Sequence, residues 1–273
     1  MVEEEEPQAV AGGFTKAATD QHLAWRFTGS AARVELAVLS PNHLQSDISD
    51  SFAKIFSGGK VLLADVPCGS GAASLSVLAT ISELRAQSVL PRIPLEVVLV
   101  GGEISEYARN NFIAGINEIR NALSEQAITI IESVKDWDVC NSLSNTDLIR
   151  ELTIRGNPCS ARMLLLANFS DFLQKNKKWD KAQPQFDELF RHFRSNKSSA
   201  IWIEPQVNEA LPEHGGLLAR VISWLNPLRF ARLFSQDEVN GPVLRDNSKV
   251  FNALDESRHF SVRLAVMRVD LDI

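Results

Sequence analysis

The 273-residue sequence predicts an α/β fold built on a doubly wound, mostly parallel sheet, and three features carry that prediction. Runs of about five aliphatic residues alternate with stretches long enough for helices. The runs are apolar throughout, as strands covered on both faces are. A glycine-rich turn follows the first of them, where such sheets place their ligands. Parallel neighbours need a crossover, and right-handed helical crossovers put helices on both faces.

The elements follow in order. Residues 1–13 read as a disordered acidic tail, with Glu3 to Glu6 near the start and Gly12-Gly13 at the end. Residues 14–59 read as an N-terminal helical lid, broken at Ser40-Pro41-Asn42 and closing with a short helix over Asp47–Phe56. Residues 60–273 read as one Rossmann-like domain. Its strands are Val61–Asp65, Leu95–Val100, Ala127–Glu132, Met163–Ala167 and Ala200–Glu204, with a closing strand over Val262–Val269. Between them lie helices over Ala72–Ser88, Ile104–Ser124, Thr146–Leu152, Pro184–Arg194 and Leu217–Leu225. Leu228–Phe234 can pair with the last strand as an antiparallel hairpin, leaving Ser235–Phe260 as an insertion at the rim.

Composition narrows the function classes. Apolar residues make up 45% and charged residues 23%, as in ordinary globular chains. Three cysteines do not build a disulfide framework, which favours a reducing compartment. No apolar run reaches the roughly 20 residues that span a bilayer, and the acidic start is unlike a signal peptide, so a cytoplasmic location without membrane partners is expected. The net charge of -6 offers no global basic field for nucleic acid. Residues 150–197 nonetheless carry ten Lys or Arg against five Asp or Glu, a local excess suited to an anionic substrate or to a solvated face.

The segment V-L-L-A-D-V-P-C-G-S-G-A-A-S, Val61–Ser74, puts Asp65 at a strand end, Gly69 and Gly71 in a tight turn, and a helix after it. Glycines there let backbone approach a ligand, and the amides of the new helix attract anionic groups. No G-x-x-x-x-G-K-[ST] occurs, and Ser74 stands where a dinucleotide loop has its third glycine. Read as D-x-P-x-G-x-G, the loop resembles the first motif of class I S-adenosylmethionine-dependent methyltransferases, with Pro67 at the first glycine and Cys68 beside it. The next strand runs into Gly101-Gly102-Glu103-Ile104-Ser105-Glu106, similar to the string in which that family places its ribose-binding acid. An ionised carboxylate accepts from two hydroxyls at once, and Glu103 matches that position; a cap for the following helix is its simpler role. D-V-P-C also resembles the catalytic string of RNA cytosine-C5 methyltransferases, but there the cysteine follows the ribose acid, whereas Cys68 precedes Glu103.

The resemblance implies a seven-stranded class I methyltransferase sheet and S-adenosylmethionine as cofactor, bound by Asp65, Pro67, Cys68, Gly69, Gly71, Glu103 and Ile104. It further implies Asp136 (or Asp138) for the adenine amine, Trp137 beside the ring, and Asn168 and Phe169 at the tip of the fourth strand. Asn168-Phe169-Ser170-Asp171 lacks the prolines of enzymes that methylate exocyclic base amines. Asn168 and Asp171 are the candidate catalytic residues, Asp171 as a base or equally as a helix cap. Glu204 is a candidate rim residue, His214 a candidate base, and Thr15–Phe27 is expected near the pocket mouth. No metal-ligand spacing or G-x-S-x-G appears, so no metal is expected.

The function expected is methyl transfer to an unidentified acceptor, a small molecule or an RNA. One alternative is a methyltransferase fold kept as a binding or scaffold subunit, which brings in a protein partner. Another is an NAD(P)-dependent oxidoreductase; its Tyr-x-x-x-Lys relay is missing, since Tyr107 is the only tyrosine and Asn111 stands four residues on.

Overall fold

A computed structural model describes residues 13–206, 232–233, 243–252 and 255–271. Helices α1 (Lys16–Leu39) and α2 (Ser46–Ile55) lead into alternating strands and helices: β1 (Gly59–Asp65), α3 (Ala72–Ala86), β2 (Leu95–Glu103), α4 (Glu106–Glu125), β3 (Ile128–Asp136), α5 (Ser142–Gly156) and β4 (Ala161–Ala167). Then come α6 (Ser170–Lys175), α7 (Trp179–Phe193), β5 (Ser198–Pro205), β6 (Arg232–Leu233), β7 (Leu244–Asn252) and β8 (Asp255–Asp270). The sheet order is β3-β2-β1-β4-β5-β8-β6, with β7 pairing β8. The first five strands are parallel, and β8 enters antiparallel against β5.

The predicted doubly wound sheet is the one found. Side chains alternate along each strand, so Val61 and Leu63 of β1 face one core and Leu62 and Ala64 the other. Helices α1–α4 cover the first face. The second takes α5–α7, where Trp179, Phe186, Phe190 and Phe193 share a core with Trp202 and the Phe186 ring lies 5.5 Å from the Trp202 ring. The C-terminal half of α1 (Ala32, Val34, Leu36, Ala37, Val38) and Ile48, Phe52, Ile55 and Phe56 belong to the same core as the sheet.

The closing hairpin departs from expectation. The partner along most of β8 is β7, which lies inside the stretch read as an insertion; of the strand expected over Leu228–Phe234, residues 232–233 pair with the end of β8. Leu244–Asn252 is polar at most positions and partnered on one edge, so it lacks the apolar run that marks a buried strand. The helix expected over Leu217–Leu225, His214 and the first twelve residues of the tail lie outside the described residues. Among the described residues, no helix is long and apolar enough to cross a membrane.

One buried charge ties the first layer together. Arg85, 1% exposed in the last turn of α3, donates to the carbonyls of Ile93 (2.7 Å), Gln126 (2.9 Å), Phe56 (3.3 Å) and Ser57 (3.3 Å). Phe56 and Gln126 are the C-caps of α2 and α4, so the cation meets the negative ends of two helices in place of a carboxylate. Replacing Arg85 by Leu strands four carbonyls. Urea unfolding should show a loss of about 3 kcal/mol or more, with Arg85→Lys recovering only part because an ammonium lacks the planar fork. Equal stability of the Leu variant and the native chain would contradict this account.

Candidate functional site

The order of strands reverses between β1 and β4, which both turn their C-terminal ends to one edge. A crevice opens there in such sheets, and the loops after β1, β2 and β4 leave the sheet at that edge.

The loop after β1 is pinned from below. Asp65 is sealed from solvent and accepts from the Ser74 amide (3.2 Å) and hydroxyl (2.5 Å) through Oδ2, fastening the strand to the first turn of α3. Its role is thus to hold the loop; Ser74, at the place of a dinucleotide loop's third glycine, is the donor. Burial pushes the Asp65 carboxyl up to about 7, against the opposing pull of Ser74. The peptide before Pro67 is cis. Cys68 is buried, its amide donates to the Gly102 carbonyl at 3.0 Å, and burial beside Asp65 and Glu103 raises its thiol well above the usual range. A thiol kept protonated there is no nucleophile, in keeping with its place in the loop.

The two loop glycines do different work. Gly71 has φ +88°, and a Cβ there would lie 2.0 Å from the Phe112 ring, so its absent side chain serves packing. Gly69 has φ +52°, and a Cβ there would meet nothing within 4 Å. The loop therefore presents bare backbone to open space at Gly69. The Gly69 amide points at the tip of β2, where Glu103 Oε2 accepts it at 3.3 Å while Oε1 accepts from the Ser105 amide at 2.8 Å. Burial raises the Glu103 carboxyl, opposed by these amides and by Arg109. The Gly69 and Ser105 amides each bond one Glu103 oxygen, the Ile104 amide also favours the charge, and a carboxylate of four acceptor sites keeps room for another donor. Ile104 follows it, 41% exposed.

At the β3 tip, Asp136 lies opposite Glu103 in register and pairs with Arg109 at 3.2 Å. The same guanidinium donates to the Glu103 and Ile104 carbonyls (2.6 and 2.9 Å), so Arg109 joins the two tips. Trp137 is turned inward instead of lining the crevice. It is 2% exposed, packs against Gly102 and donates its indole N–H to Asn145 at 3.2 Å. Asp138 accepts from the Cys140 amide at 2.9 Å, organising the turn into α5.

At the β4 tip, Asn168 has φ +56°, uncommon for a residue with a side chain, and its Oδ1 accepts from Arg33 of α1 at 3.1 Å. Phe169 is 8% exposed and stacks on Phe172 at 5.3 Å, so its ring belongs mainly to the core. Asp171 pairs with Lys175 at 3.1 Å in the first turn of α6, the position of a helix-end acid rather than a desolvated base. Glu204 ends β5 without solvent contact, and its Oε1 accepts from the amides of Phe169 (3.0 Å) and Ser170 (2.8 Å) and the Trp202 indole (2.7 Å). It holds the β4 loop as Asp65 holds the β1 loop, and burial raises its carboxyl too. The start of α1 runs beside α4, with Lys16 and Asp20 near Tyr107 and Asn111. No described group of His, Cys, Asp and Glu side chains is arranged to hold a metal.

Strand order decides the architecture: five parallel strands reversing at β1/β4, then an antiparallel strand inserted between β5 and β6. The fold is that of the class I methyltransferases. No family model matches the sequence, and no curated protein matches it. Solved structures resemble the chain at low identity. A Methanococcus maripaludis protein assigned as an S-adenosylmethionine-dependent methyltransferase is 12% identical over 98% of this chain and 96% of its own, with a TM-score of 0.41. A Listeria monocytogenes protein assigned to class I of those enzymes is 12% identical over 94% and 68%, also with a TM-score of 0.41. The precorrin-6y C5,15-methyltransferase of Geobacter metallireducens is 10% identical over 82% and 88%, with a TM-score of 0.40. At these values the likenesses carry no activity across to this chain.

Of the residues read from the sequence, the methyltransferase fold brings Gly69 and Glu103 into direct contact, sets Asp136 and Ile104 beside them, and places Asn168 at the β4 tip. Sequence reading missed Arg33. Its only signal was a cation within the apolar run Ala31–Val38.

The raised Asp65 carboxyl gives a signed pH effect. Between the usual value of 3.8 and about 7, the folded state keeps a proton that the unfolded chain releases. Its stabilising contribution is therefore full below about pH 4 and is lost as pH rises through 7. Asp65→Asn keeps an acceptor for Ser74 and removes the titration. Denaturation across pH 4–8 should show the native chain losing stability relative to the variant as pH rises; parallel profiles would refute the assignment.

Proposed function

We propose that this chain binds S-adenosylmethionine at the tips of β1 and β2 and transfers its methyl group to an acceptor held against β4 and β5. The observation that carries the reading is the meeting of the Gly69 backbone, open on its Cβ side, with the Glu103 carboxylate at neighbouring strand tips beside the switch point. The residues fit that cofactor. Glu103 has acceptor capacity for two ribose hydroxyls, the open position at Gly69 admits a ligand against the main chain, and Asp136 with Ile104 offers an acceptor and an apolar surface for a purine.

The cofactor supplies an electrophilic methyl on a sulfonium leaving group. The chain's task is to orient an acceptor in line, at about 3 Å, and to exclude water. Asn168 is the side chain best placed to align it, because Glu204 and Arg33 fix its loop from two sides. A general base is needed only when the attacking atom must lose a proton. We place the acceptor among small molecules or RNA.

Calorimetric titration tests the reading. The native chain should bind S-adenosylmethionine and S-adenosylhomocysteine but not NADH. Gly69→Arg fills the open position and should reduce affinity at least about 100-fold, while its left-handed backbone costs about 1–2 kcal/mol and lowers Tm by a few degrees. Glu103→Ala should lose at least about tenfold through its hydroxyl contacts. Binding of NADH, or undiminished cofactor affinity in Gly69→Arg, would overturn the reading. Transfer of a tritiated methyl to fractionated cell extract separates an enzyme from a scaffold.

A further inference from the structure

Arg33 is poorly satisfied for its position. Its flanking residues Ala32 and Val34 are core residues, while its side chain turns to the strand tips and donates through Nη1 to Asn168 Oδ1. A guanidinium carries five N–H donors. Among the described residues, Asn168 is the acceptor it meets, and its Nε is closed off from solvent without a partner. Glu204 lies close enough to favour the positive charge but forms no ion pair with it: its Oε1 accepts from Phe169, Ser170 and Trp202, and its Oε2 has no partner among the described residues. Arg26, seven residues earlier and so on the same face of α1, repels it. Burial disfavours the charged guanidinium further. A half-buried cation without an ion pair among the described residues is expensive to hold, and its unused donors form a fork suited to two oxygens.

We propose that Arg33 is an anion-binding residue at the β4 tip, taking a carboxylate or phosphate group of a bound molecule while Asn168 fixes the plane of its guanidinium. Which molecule carries the anion rests on the methyltransferase reading: the amino-acid carboxylate of the cofactor, or an acidic group on the methyl acceptor.

Calorimetry on the full chain distinguishes these sources. S-adenosylhomocysteine has the carboxylate and 5′-methylthioadenosine lacks it, so the second ligand also reports an intact adenosine site. If the cofactor supplies the anion, Arg33→Met lowers S-adenosylhomocysteine affinity at least tenfold and leaves methylthioadenosine affinity unchanged. If the acceptor supplies it, both affinities persist, and saturable binding of inorganic phosphate or acetate to the S-adenosylhomocysteine-loaded protein disappears in Arg33→Met. In both cases Arg33→Lys retains part of the effect. The proposal is overturned if Arg33→Met changes none of these, or weakens methylthioadenosine in parallel, which marks a structural role. Should the native chain bind neither nucleoside, the methyltransferase reading fails by itself. Phosphate titration of the free protein then decides Arg33: binding lost in Arg33→Met supports the proposal, and no binding to the native chain overturns it.

Discussion

Carboxylates drawn wholly or largely out of water hold the working edge of this sheet. A strand ends where its backbone ladder ends, and the first amides of the next segment need acceptors. In three places the acceptor is a buried acid at a strand tip. Asp65 grips Ser74, Glu103 grips Gly69 and Ser105, and Glu204 grips Phe169 and Ser170. An acid in such surroundings keeps its charge only through the donors it collects, so its tendency to regain a proton measures how dry the site is. All three carboxyls are raised. The edge is rigid because each loop is bonded to a strand that cannot move, and rigidity of this kind preorganises a ligand site.

The three acids differ in what can reach them. Asp65 and Glu204 are closed off completely; one oxygen of each holds its loop and the other is sealed without a partner among the described residues. Glu103 is less enclosed, and its bond to Gly69 is the longest of the set at 3.3 Å. It can accept further donors with little rearrangement, and it touches Gly69, which among the described glycines has nothing within 4 Å of a Cβ position. Exposure, not spare acceptor capacity, thus separates Glu103 from the two sealed acids, and neither residue type nor strand-end position reveals it.

That distinction marks how far the sequence could be read. Strands β1, β2, β4 and β5 are continuous apolar runs, a pattern that burial on both faces demands, so the sheet and its order of helices were legible. The ends were less so. β2 and β3 run on through Glu103 and Asp136, because register with a neighbour extends a strand past its apolar stretch. α6 is a six-residue helix behind a Ser-Asp pair that also reads as a cap. β7 has the polar sequence of an edge strand. In the site, the meeting of Gly69 and Glu103 was legible because both stand at the tips of neighbouring strands. Trp137 and Phe169 were misleading, since an aromatic residue near a strand tip has the same sequence whether it faces a ligand or the core. Arg33 was invisible because Asn168 lies 135 residues away.

Two arginines removed from solvent show how the same side chain serves opposite ends. Arg85 faces four carbonyls, two of them from helix C-caps, and every direction of its fork but Nε is answered by the protein. That arrangement is complete in itself, and it bonds α3 to the ends of α2 and α4. Arg33 is less buried, yet among the described residues it donates to one amide oxygen, with Glu204 near but unbonded and Arg26 repelling it. Folding alone does not explain why a helix otherwise packed by Ala, Val and Leu would carry a cation at this point. The unanswered donors lie at the strand tips, beside an asparagine held in left-handed backbone. Among the described residues, strain and unmet polarity coincide at this place, and the anion proposed for Arg33 would answer both.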